Sequence, residues 1–239
     1  MANSVSTLTA IRKEIKQLAD PKIAEHSQRF FKTGPGQYGE GDKFVGIRVP
    51  VLRKLAKQHR SLPLNKTVTL LQSPIHEERL LALLILVLRF QKGGEDEKKR
   101  VFDLYCKNFR YVNNWDLVDC SAHKIVGEYL LERSRTLLHR LAKSKILWER
   151  RIAIIATLAF IYQHDFEDTL DIATQLLNDE EDLIQKAVGW MLREVGNREI
   201  GLEEAFLKEH YKSMPRTMLR YAIEKFPERK RKKYLKGEI

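Results

Sequence analysis

The chain has 239 residues, with 43 Lys+Arg against 32 Asp+Glu for a formal net charge of +11, and is 43% hydrophobic and 31% charged. This balance excludes a disordered or fibrous chain and suffices for a sizeable core, read here as one domain over residues 1–239. Cys106 and Cys120 form neither a disulfide framework nor a metal-ligand pattern, and the longest apolar run, Leu80 to Leu88, is half the roughly 18 residues of a membrane span. The expected setting is therefore a reducing cytoplasm, and the basic excess asks for an acidic partner, nucleic acid first.

Apolar residues recur at three and four positions and no period-two segment appears, which predicts an all-α chain. The opening stretch, MANSVSTLTAIRKEIKQ, has no apolar h-region and reads as a helix over 6–18 instead of a signal peptide. Further helices are predicted over 21–31, 50–58, 65–71, 75–91, 96–107 and 114–132. They continue over 136–142, 147–162, 166–177, 182–195, 202–211, 215–225 and 228–235. Pro21, Pro50 and Pro215 stand where helices begin, and Asn65, Asp165 and Asp179 offer N-caps. The acidic runs at 164–168 and 179–182 are read as charges favoured at helix starts.

The segment TGPGQYGEGDKF (33–44) lacks both the preceding strand and the Gly-Lys-Ser/Thr end of a P-loop. It reads as an exposed loop, with its backbone N–H groups and Lys43 a secondary candidate for a phosphate. The seven histidines show no ligand spacing, so neither a metal nor another cofactor is expected.

HEERLLALLILV (76–87) resembles WERRIAIIATLA (148–159), with Arg79 and Arg151 72 residues apart. Lys186 follows 35 residues later, and NNWDLVDCSAHKIV falls between the first two units. Helix pairs with a period in the high thirties are the signature of HEAT-type solenoids, which curve to give a concave surface. An irregular helical bundle is the alternative.

Trp115 and Asp119 are four apart and share a helix face, with Asp116 one turn from Asp119. Trp190 stands between Lys186 and Arg193 at the same kind of spacing, and Arg151 opens a helix. Trp148 reads as core at an interhelical junction. Arg216, Arg220, Lys225 and the run ERKRKKYLK (228–236) add cations for phosphate. If equivalent faces line one groove, indoles, a carboxylate and cations converge there. Indole faces attract a cationic base and a carboxylate stabilises positive charge developing on a sugar, which fits cleavage of an N-glycosidic bond to a positively charged base.

Four segments, FVGIRVPVLRKLAK (44–57), NNWDLVD (113–119), LWERRIAI (147–154) and LIQKAVGWMLRE (183–194), resemble in order the AlkD-like family of DNA alkylation repair enzymes. The resemblance implies a right-handed solenoid of HEAT-like antiparallel helix pairs, holding alkylated duplex DNA in a basic concave groove as a monomer in the bacterial cytoplasm. It further implies excision of cationic N3- and N7-alkylpurines without metal or base flipping, and with no lysine or amine placed for Schiff-base chemistry the glycosylase is expected to be monofunctional. By motif, Asp119 is the catalytic carboxylate, Trp115 and Trp190 contact the lesion sugar and backbone, and Arg151 binds phosphate. From charge and spacing, Lys186, Arg193, Arg216 and Arg220 are expected to bind DNA along the same concave face. Phe30 departs from the family, which often has tyrosine there. A non-catalytic binder of branched or damaged DNA on the same scaffold is the alternative, and a binder of an acidic protein a third reading.

Overall fold

The computed structural model describes residues 7–239, so the predicted start at Ser6 lies outside the described residues. Every regular element among them is helical, apart from an isolated bridge between Lys43 and Ile75. No helix among them is long and apolar enough to cross a membrane. The chain forms two compact units, one ending at Ser121 and one beginning at Ala122.

The first unit contains α1 (Leu8–Leu18), α2 (Pro21–Phe30), α3 (Val49–Gln58), α4 (Leu64–Leu71), α5 (His76–Lys92) and α6 (Glu95–Lys107), then a 3₁₀ turn and the start of α7 (Trp115–Ala122). Thr7 and Asp20 cap α1 and α2 with their side-chain oxygens, and Pro21 occupies the first turn of α2 as expected. Helix α5 is the core element. Leu80 to Val87 are buried all round it, and α3, α4 and α6 pack against it. Burying each such leucine is worth about 1.5–3 kcal/mol. The polar opening of α5 is buried as well: His76, Glu77, Glu78 and Arg79 are each under 5% exposed.

The second unit continues through a π-helical stretch (His123–Gly127) into α8 (Glu128–Leu130), α9 (Thr136–Ala142), α10 (Leu147–Ala156) and α11 (Leu158–Ile161). It ends with α12 (Glu167–Gln175), α13 (Asp182–Gly196), α14 (Ile200–His210), α15 (Arg216–Ala222), a 3₁₀ turn and α16 (Glu228–Lys236). Helix α10 packs on α9 and α13, and α13 packs on α15. The last contact depends on Gly189, where a Cβ would overlap the Met218 carbonyl and lie 2.6 Å from Tyr221 Cβ.

The second helices of successive pairs, α5, α7, α10, α13 and α15, start at 76, 115, 147, 182 and 216, intervals of 39, 32, 35 and 34 that blur the sequence repeat. Three of them share an entry turn. Ser73 Oγ accepts from Ile75 N–H at 3.1 Å while Arg79 Nη1 donates to the Ser73 carbonyl at 3.1 Å. Ser144 Oγ, Ile146 and Arg150 repeat this at 3.0 and 3.0 Å, and Asp179, Glu181 and Gln185 repeat it at 3.0 and 3.0 Å. The equivalent of Arg79 is therefore Arg150, and the expected register is corrected by one residue.

The expected caps are corrected too. Asn65 lies inside α4 and its side chain accepts from Lys66 N–H, Asp165 pairs with Arg135 at 2.6 Å, and Asp179 accepts from Glu181 N–H while pairing with Arg150 at 2.6 Å. Asp168 pairs with Arg135 and His139. The Asp165 carboxylate goes to a guanidinium instead of a backbone cap, and Asp179 serves Arg150 and the Glu181 N–H together, since charge-assisted bonds are the stronger ones. Pro215 precedes α15 as its cap residue, and Pro50 lies in the first turn of α3.

Candidate functional site

In the first unit, the residues from Thr33 to Phe44 do not hang free. Asp42 accepts from Arg79 Nη2 at 2.6 Å, from His76 Nδ1 at 2.8 Å and from Asn114 Nδ2 at 3.2 Å. Just beyond, Glu77 receives the backbone N–H groups of Val45, Gly46 and Ile47 at 2.7–3.2 Å. Gly46 adopts φ 87°, and a Cβ there would overlap the Asp20 carbonyl, so this close approach to α2 requires glycine. The expectation of an exposed loop holds for Pro35, Gly36, Gln37, Glu40, Gly41 and Lys43, while Gly39 and Phe44 are buried.

His76 also bonds Asp116 Oδ2 through Nε2 at 2.8 Å. Burial alone would lower its pKa, but the hydrogen bonds and charges of Asp116 and Asp42 raise it to about 9. Burial would likewise raise the Asp42 carboxyl, and His76 and Arg79 hold it below its ordinary value instead. The imidazole stacks on Phe44 with ring centres 4.4 Å apart, Phe31 lies 5.1 Å away, and Phe31 stacks on Trp115 at 5.2 Å. Phe30, 57% exposed, meets Trp115 edge-on at 5.9 Å, so the ring without the hydroxyl retains an aromatic contact. Trp115 begins α7, and the half-buried Asp119 is its fifth residue, one turn on.

In the second unit, Arg151 and Lys186 hold the same fifth position in α10 and α13. Arg151 is 4% exposed and its Nη1 donates to the Leu183 carbonyl, joining α10 to the first turn of α13. Lys186 is half-buried and pairs with Asp182 at 2.7 Å. Trp190 is half-buried, with its indole N–H on Glu194 at 3.2 Å, and Glu194 also receives Arg198 at 3.0 Å. Arg193 pairs with Glu224 after α15. Arg216 and Arg220 are exposed one turn apart on α15, as are Lys225, Arg229, Lys232 and Lys233 farther on. Helices α10, α13 and α15 thus carry Arg151, then Lys186, Trp190 and Arg193, then Arg216 and Arg220. Trp148, expected in the core, is only half-buried.

His76, Asp42 and Asn114 escaped the sequence reading. A lone histidine with no ligand spacing carries no signal, and its partners lie 34 and 40 residues away in the chain. No group of His, Cys, Asp and Glu able to hold a metal occurs among the described residues.

Helix pairs with recurring entry turns and a tryptophan–aspartate turn on one second helix define a helical-repeat protein. Residues 11–226 match the family described as DNA alkylation repair enzyme, and the chain belongs to that family. Among solved structures, it resembles a "predicted DNA alkylation repair enzyme" from Enterococcus faecalis at 19% identity and TM-score 0.66, covering 88% of this chain and 97% of the other. AlkD2 from Streptococcus mutans is similar at 16% identity and TM-score 0.53, covering 92% and 97%. At these identities the likeness concerns the fold. No curated protein matches the sequence significantly.

Proposed function

We propose that the chain is a monofunctional DNA glycosylase, acting as a single functional domain and a monomer in the cytoplasm, that removes cationic N3- and N7-alkylpurines from duplex DNA without metal, cofactor or base flipping. The observation that carries this reading is the turn of α7, where half-buried Asp119 follows Trp115 by four residues and the indole is braced by Phe30 and Phe31. A carboxylate so placed stabilises an oxocarbenium-like sugar and orients the attacking water, while indole faces favour the cationic nucleotide. The base leaves neutral, so no strong general acid is needed.

Lys186, Arg193, Arg216 and Arg220 supply the phosphate-binding surface, and Trp190 rests on the nucleotide backbone. Arg151, buried on the Leu183 carbonyl, adds its charge beneath that surface and fixes the first turn of α13.

A duplex containing N7-methylguanine should release free base with the wild-type protein and far less with Asp119→Asn. Equal release from both would sink the assignment. Tight, salt-sensitive binding with no release would support the non-catalytic DNA binder instead.

A further inference from the structure

The network around His76 plays no direct part in that chemistry, yet it ends on the residue next to Trp115. We infer that His76 is a positioning residue, which through Asp116 holds the first turn of α7 so that Trp115 and Asp119 meet the lesion sugar. The inference rests on the function proposed above.

The geometry requires charge. Each ring nitrogen lies 2.8 Å from a carboxylate oxygen, Nδ1 from Asp42 and Nε2 from Asp116. A neutral imidazole has one N–H, so one of these contacts would become lone pair against lone pair. With the proton in place, both nitrogens donate. The charged groups facing the ring are Asp42 from the loop, Asp116 from α7 and Arg79 from α5, while Glu77 is turned to the backbone of 45–47. Two carboxylates against one guanidinium and one imidazolium are balanced, and loss of the proton would leave a buried excess of negative charge.

The two carboxylates are held unequally. Asp42 also receives Arg79 and Asn114, whereas Asp116 is held by His76 at Oδ2 and its Oδ1 is buried without a partner. Deprotonation therefore falls hardest on α7. A second path runs from the same ring through Phe31 to the face of Trp115. His76 thus reaches the candidate indole by the chain and by stacking, and it remains charged up to about pH 9.

The test uses the full chain in single-turnover release of N7-methylguanine, with uncatalysed loss subtracted. His76→Gln should slow release at pH 7 by about ten- to hundredfold, as misplacement of reacting groups does, with duplex affinity within about twofold. Wild-type release should fall as pH rises through 9. In Asp116→Asn, neutral His76 can donate from Nδ1 to Asp42 and accept the new amide N–H at Nε2, so the alkaline fall should disappear. A purely structural histidine predicts that rate, affinity and melting temperature fall together and that both proteins share one pH profile, which would overturn the inference.

An activity-independent arm follows the Trp115 indole N–H resonance, assigned by its loss in Trp115→Phe. It should shift with a midpoint near pH 9 in the wild type and be displaced in His76→Gln. Should the wild type release no base, the proposed function fails and this resonance alone decides. An indole unmoved by pH and by His76→Gln overturns the positioning role.

Discussion

The carboxyl group of Glu203 fills the space that a side chain at Gly196 would occupy, and its Oε1 is buried there without a hydrogen-bond partner. Burial, aided by the charge of Glu204 and only partly opposed by Arg193 and Lys230, pushes its pKa up from 4.5 to about 8. The folded chain therefore keeps a proton that the unfolded chain loses above pH 4.5, so stability falls as pH rises from 4.5 to about 8 and then levels off. One such proton is worth about 1.4 kcal/mol per pH unit at most. Urea unfolding of Glu203→Gln should show a gain over the wild type that grows across this window, and a difference independent of pH contradicts the account.

Arg150 and Asp179 form a pair of which the acid side chain is 7% exposed. Arg150→Ala removes this partner and the bond to the Ser144 carbonyl, leaving a buried carboxylate uncompensated. The expected cost is about 3–5 kcal/mol, measured by denaturant midpoint. Asp179→Asn, which keeps an acceptor for Glu181 N–H, should cost less. Equal losses would show that the ion pair is not what matters.

At Gly189 the obstruction to a methyl group includes backbone, the Met218 carbonyl, which cannot rotate away. Gly189→Ala should force α13 from α15 at a cost of about 1–3 kcal/mol. On the proposed function, it also displaces Trp190 and slows base release beyond what the stability loss explains, as single-turnover rates well below the melting temperature can establish.

Trp148 and Trp190 are both half-buried, so burial does not separate them. Function does: Trp190→Ala should lower the single-turnover rate more than Trp148→Ala, whose effect should be chiefly on stability. The reverse order of rates would remove Trp190 from the site.

Arg216 and Arg220 are exposed one turn apart on α15. If each neutralises a phosphate, the double alanine variant should weaken binding to duplexes of any sequence and reduce the slope of log affinity against log salt by about 1.8. Fluorescence anisotropy from low to moderate salt measures it, and an unchanged slope argues against contact at this helix.

The helices were legible because their apolar periodicity is local, and the tryptophan–aspartate turn because four residues on a helix share a face. The pairing of Arg79 with Arg150 was not, since a run of two arginines leaves the register open until their Ser73 and Ser144 carbonyl partners are seen. Asp165 and Asp179 depart from the expected caps for a related reason: a cap is a neighbour in sequence, whereas Arg135 and Arg150 arrive from 30 and 29 residues away. His76 was invisible because its role exists only once the loop, α5 and α7 have met.

Glu77 gives the stretch that follows the glycine-rich segment a property its composition hides. Its carboxylate holds the amides of Val45, Gly46 and Ile47 from the second position of the most deeply buried helix of its unit. Those three protons can exchange with deuterium only when that anchor releases them. Their protection should follow the slow, cooperative opening of the α5 core and not the fast fraying of a surface loop.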